Sequence, residues 1–147
     1  MKKILLVILA ITSIRAAAQT GSRDFKAIDE YIKGLGAMEG MSTATINNVV
    51  INHFEDKIDK ARAIYTWIAM NIMYDVKAAR TNSTMKNTPA DVLLYRRAVG
   101  AGFAALFQDM CSIAGIRCLT VDGFVKTSIE QIGEKGTDIN HTWAVVQ

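Results

Sequence analysis

This sequence is poor in the residues that bind metals. It has two cysteines and two histidines in 147 residues. Cys111, Cys118, His53 and His141 fall in no metal-ligand spacing, so neither a metal nor another cofactor is expected. No apolar run reaches the roughly 20 residues that a membrane-spanning helix needs. There is no internal repeat and no low-complexity tract. No basic stripe with interleaved aromatics is present, which makes nucleic acid a poor candidate partner. Proline occurs once, at Pro89, and so breaks no other segment that reads as helical.

What is present begins with a leader. Lys2 and Lys3 precede an apolar run over residues 4–14, and Ala16, Ala17, Ala18 and Gln19 follow it. A basic start, a short apolar stretch and small residues before a cut near Ala18 are the pattern of a signal peptide over 1–18. Export to a secreted or periplasmic location is therefore expected, with no membrane span left after cleavage. Lys2, Lys3 and Arg15 are three of the 17 basic residues, and the first 18 residues hold no acid. The 14 basic side chains that remain match the 14 acidic ones, so the mature part is formally neutral. Residues 19–147 are enough for one domain with a real core, and not for two.

Apolar spacing places helices first and strands last. Phe25, Ile28, Ile32 and Leu35 recur at helical intervals before Gly36 and Gly40, which predicts a short helix and then a loop. Ile46, Val49, Val50 and Phe54 make a second stripe, with His53 exposed beside it. Asp56 caps a third helix whose buried face carries Ala61, Ile64, Trp67, Ile68 and Ile72. Residues 76–87 are polar and aperiodic, and read as a surface loop. Thr88, Pro89 and Asp91 then supply a cap, a first-turn proline and a first-turn acid for a short helix. A central helix follows over 101–114, with Ala104, Phe107, Met110 and Cys111 inward and Gly115 as its stop. Residues 118–125 and 142–146 alternate as strands, separated by a long loop over 126–140. Helices followed by a sheet define an α+β fold.

An oxidising compartment permits a disulfide between Cys111 and Cys118, because the chain can turn at Gly115 and bring them together. Two buried thiols acting as small hydrophobes are the other reading.

Three blocks, in order, resemble the transglutaminase-like superfamily, in particular its kyphoscoliosis peptidase branch. The first is DKARAIYTWIAMNIMYD (Asp59 to Asp75), similar to that family's K-x-R-A-I-y-x-W-I helix. The second is VLLYRRAVGAGFAALFQDMCSIAGIRCLTVDGFVK. The third is NHTWAVV at 140–146, similar to a strand that reads H-A-W-N-x-V. The resemblance covers most of the chain after the first forty residues. It implies a papain-like core, a central helix packed on an antiparallel sheet, and Cys-His-Asp thiol acyl transfer as peptidase or crosslinker.

Carried over residue by residue, His141 takes the position of the family's catalytic base, and Gly100 that of its nucleophilic cysteine. Trp143, Gly102 and Phe103 become cleft residues. Ala144 stands where the family has asparagine. Glycine has no side chain, so no acyl-enzyme can form at position 100. Cys111 lies eleven residues further along the same helix, about 16 Å away at 1.5 Å per residue, and cannot substitute. The orienting aspartate would fall beyond Gln147, and the apolar strand at the end would have no partner strand after it, so a fragment of a longer protein is expected.

Three readings follow. One is a non-catalytic module that uses the cleft to bind a peptide or an extracytoplasmic protein. The second is an active thiol enzyme in an intact parent or homologue, since one base can separate a glycine codon from a cysteine codon. The third is a truncated product with no function of its own.

Overall fold

Trp67 is the centre of the packing. The computed structural model describes residues 23–81, 87–133, 135–136 and 138–147; the leader expected over 1–18 lies outside them. Trp67 sits on α3 (Lys57–Asn71), fully buried, and its indole Nε1 donates to the Gly36 carbonyl at 3.0 Å. Around it pack Ile28 and Ile32 of α1 (Lys26–Lys33) and Ile46 and Val50 of α2 (Thr43–Ile51). Leu106, Met110 and Cys111 of α6 (Gly100–Ile113) complete the same cluster. Deleting a buried aromatic of this size costs about 3–5 kcal/mol, so position 67 is structural.

The helix starts follow from their caps. Asp56 Oδ1 accepts from the amides of Ile58 at 2.8 Å and Asp59 at 3.2 Å, opening α3. Ser42 Oγ accepts from Thr45 N at 3.2 Å, opening α2. Thr88 Oγ1 accepts from Asp91 N at 3.2 Å ahead of α5 (Pro89–Tyr95). After α6 the chain reverses at Gly115, φ +69°, and Ile116 N donates back to the Cys111 carbonyl at 2.8 Å. A left-handed turn of this kind favours glycine because at positive φ a Cβ crowds the residue's own backbone, although the space around it is open.

A short helix and a short strand pair depart from the sequence reading. Residues 76–81, expected as loop, form α4 (Val76–Thr81). Asp75 Oδ1 accepts from Ala78 N at 2.8 Å, and Ala78 is buried. A single capped turn and a half is too short to display an apolar period, so periodicity could not reveal it. The second departure is a parallel pair, β1 (Met73–Tyr74) with β2 (Arg97–Ala98). Met73 N donates to the Arg96 carbonyl and Asp75 N to the Ala98 carbonyl, both at 2.9 Å. This pair ties the end of α3 to the residues just before α6, and so fixes where α6 begins.

The second sheet is an antiparallel ribbon of β3 (Cys118–Gly123) and β4 (His141–Val146). Its register runs from Cys118 opposite Val146 to Gly123 opposite His141. Alternation along the strands puts Cys118, Thr120 and Asp122 on one face with Thr142, Ala144 and Val146. Cys118 packs on the core, so this face is turned toward α6. Leu119, Val121, Trp143 and Val145 share the other face and are each at least 40% exposed. The result is the expected α+β arrangement, helices first and an antiparallel ribbon on a central helix. Among the described residues no helix is long and apolar enough to cross a membrane.

Candidate functional site

Gly100 and His141, some forty residues apart in sequence, line the same cavity of about 550 Å³ between α3, α6 and β4. Each arrives by a separate local device. The β1–β2 pair sets the backbone up to Ala98, and Val99 follows as an extended N-cap with no side-chain cap of its own, so α6 starts at Gly100. His141 is the first residue of β4, held opposite Gly123 by the ribbon. Asn140 fastens the loop before it: its Nδ2 donates to the Val125 carbonyl at 3.0 Å, and its Oδ1 accepts from Val125 N at 2.8 Å.

The walls are apolar and aromatic. Tyr74 lies nearly parallel to Phe103, with ring centroids 6.5 Å apart. The His141 ring stands edge-on to Trp143 at 4.7 Å. Tyr65, Ile68 and Phe107 fill the remaining sides. Among the described residues no Asp, Glu, Lys or Arg lines the cavity. The first turn of α6 lacks a side-chain acceptor, which leaves its orphan amides as donors at one end of the site. In chemical terms this is an apolar slot with a helix N-terminus at one end and the exposed His141 at its rim.

At Gly100 itself there is room. A Cβ built on its backbone meets nothing within 4 Å. Gly102 is different: a Cβ there would lie 2.8 Å from Ala98 Cβ and 3.1 Å from Val92 Cγ2. Expected as a cleft residue, Gly102 is buried and turned toward α5 and β2, outside the cavity, because two residues along a helix is more than half a turn. Phe103 and Trp143, the other two expected cleft residues, do line it. His141 is exposed at the ribbon's end, and alternation gives it the outward face together with Trp143.

Cys111 and Cys118 take no part in this cavity. Both are free thiols, Cys111 buried and Cys118 half-buried. Burial pushes the Cys111 thiol up to about 12 and raises that of Cys118 as well. Neither is poised as a nucleophile, since the reactive form is the thiolate. Among the described residues no cluster of three or more His, Cys, Asp or Glu could hold a metal ion.

Sequence reasoning missed Tyr65 and Tyr74 as walls. Tyr65 lies on α3 off its buried stripe, and Tyr74 is brought in by the β1–β2 pairing, which carries no local signal.

A papain-like placement of a helix N-terminus against a histidine-bearing strand agrees with comparison to known families. The family model described as the transglutaminase-like superfamily matches residues 44–147, and the chain belongs to that superfamily. Among individual relatives, it is similar to the kyphoscoliosis peptidase of Homo sapiens, 30% identical over 125 residues that cover 84% of this chain and 19% of that protein. The Mus musculus kyphoscoliosis peptidase is 36% identical over 90 residues, 60% of this chain and 14% of that protein. The Lim and transglutaminase domain protein ltd-1 of Caenorhabditis elegans is 27% identical over 128 residues, 83% of this chain and 17% of that protein. The chain thus spans less than a fifth of the length of these relatives.

Proposed function

We propose that this chain is an exported transglutaminase-like domain, secreted or periplasmic, that holds a peptide or a segment of an extracytoplasmic protein between α6 and β4 and does not turn it over. One observation carries the proposal: Gly100 occupies the helix start that shares a cavity with His141, so the position of a nucleophile has no nucleophilic atom. An uncharged, aromatic-lined slot suits an apolar side chain of an extended segment. The leader pattern over 1–18 supports export.

The test is a titration of the mature chain with a panel of extended peptides, apolar against acidic, followed by Trp143 fluorescence and repeated in Trp143→Ala by calorimetry. Saturable binding of apolar peptides that weakens in Trp143→Ala, with no cleavage and no amine incorporation into a glutamine donor, is the expected result. Turnover that iodoacetamide abolishes would overturn it, as would the absence of binding by every peptide.

A second reading has its own support. The Cβ that a cysteine would add at Gly100 meets nothing within 4 Å, and two relatives carry the name peptidase. On this reading an intact parent or homologue is an active thiol acyl-transfer enzyme, and this chain is its glycine variant.

A further inference from the structure

The cleft does not use the two cysteines, yet the fold brings them together. Gly115 reverses the chain after α6, and Ile116 N closes the turn on the Cys111 carbonyl. Cys118 then opens β3 alongside the helix it has just left, and Gln108 Nε2 donates to its carbonyl at 3.2 Å. Cys111 belongs to the buried core cluster, and Cys118 packs against that same cluster. A second and separate cavity, of about 530 Å³, opens onto this place. Cys118 lines it with Gln108, Ser112 and Arg117, whereas Cys111 lies fully buried and outside its lining.

We propose that Cys111 and Cys118 form a disulfide that clasps α6 to β3, made from the solvent side through Cys118. In the presence of a low-molecular-weight disulfide such as oxidised glutathione, the Cys118 thiolate attacks one sulfur. A bond forms between Cys118 and that sulfur, the small disulfide breaks, and one glutathione leaves as thiolate. The Cys111 thiolate then attacks the Cys118 sulfur, forming the internal bond and releasing the second glutathione. Two electrons pass from the cysteines to the small disulfide, and the two cysteine protons go to the two released thiolates.

Full burial of Cys111 and partial burial of Cys118 make the folded protein react slowly and the product hard to reduce, because the Cys111 sulfur is shielded from attacking thiols. The bond joins α6 to the strand that carries β4, and β4 carries His141. It therefore holds the two walls of the cleft together. The inference does not depend on what the cleft binds, or on whether it binds anything.

Arg117 lies between the two cysteines, so trypsin separates them. The folded chain is equilibrated with oxidised glutathione, blocked with iodoacetamide and digested with and without reductant. The expected result is that the tryptic peptides holding Cys111 and Cys118 run as one joined species without reductant and as two with it, and that the oxidised protein melts several degrees higher. In Cys111→Ala, a glutathione adduct should accumulate at Cys118, where the unsubstituted chain resolves it. Two alkylated cysteines after full equilibration would overturn the proposal. So would a lasting glutathione adduct on Cys118 in the unsubstituted chain, a result that does not depend on whether the variant folds.

Discussion

Trp143 occupies the space that a side chain on Gly123 would need: a Cβ at position 123 would lie 2.8 Å from Trp143 Cζ3. Gly123 is also the cross-strand partner of His141, and the His141 ring rests against Trp143. One missing side chain therefore seats the indole, and the indole seats the imidazole.

Gly123→Ala should shift Trp143 and, with it, His141. The obstructing atoms are the far end of a side chain, so the ring can move and the cost is about 1 kcal/mol or less. The expected outcome is an altered Trp143 fluorescence and displaced His141 ring resonances in NMR, with the melting temperature nearly unchanged. Unmoved His141 resonances would show that the two rings are not coupled.

Gly102 and Gly100 should behave oppositely although they are one residue from adjacent. Gly102→Ala forces a methyl against the Cβ of Ala98, which is fixed to backbone, and should destabilise the fold by about 1–3 kcal/mol. Gly100→Ala meets open space and should be neutral or slightly stabilising. Urea midpoints of the two variants decide the matter; equal losses would mean that α6 is seated differently.

Gly100→Cys should fold and should carry a reactive thiol. At the uncapped start of a helix, in a cavity shared with an imidazole, its pKa falls below the ordinary value of about 8.5. Iodoacetamide at neutral pH should label position 100 well before Cys111 or Cys118, whose thiols burial has raised. Labelling with little turnover is the expected outcome. Peptide cleavage or amine incorporation by this variant would favour the enzyme reading.

The ion pair between Asp29 and Arg62 should make stability fall in acid. Arg62 Nε and Nη2 donate to the Asp29 carboxylate at 2.9 and 2.6 Å, and Thr66 Oγ1 adds a third bond at 2.8 Å. The hydrogen bond from Arg62 is the largest cause that holds Asp29 at about 2, below its ordinary 3.8. A depressed carboxylate contributes stability above its unfolded pKa and loses it as pH falls through the folded value. The contribution is therefore complete above about pH 5 and gone near pH 1. Because the pair is partly exposed to solvent, it is worth on the order of 1 kcal/mol. Asp29→Asn should lower the urea midpoint at pH 7 and flatten its pH dependence between 4 and 2; parallel curves for the two proteins would refute the assignment.

Much of the framework was legible because its signals are local. Asp56, Thr88 and Gly115 mark helix ends through hydrogen bonds to amides and carbonyls a few residues away, and the structure makes those bonds. The stripe of Ile64, Trp67, Ile68 and Ile72 is buried as its spacing requires. Elements without a period were not legible. α4 is too short to show one, and Val49, placed in an apolar stripe, is 37% exposed at the helix edge, while Leu106, left out of one, is fully buried.

The sequence by itself determined that position 100 has no side chain, that a histidine stands at 141, and that capped apolar helices precede two alternating strands. Those are properties of single residues and of neighbours along the chain. Only the tertiary structure decided that Gly100 has open space beside it while Gly102 has none, and that Tyr65 and Tyr74 wall the cavity with Trp143. It also decided that the exposed face of the ribbon carries Leu119, Val121 and Val145. The space around an atom is set by residues distant in sequence, here the β1–β2 pair and the β3–β4 register, and no local pattern encodes such pairings.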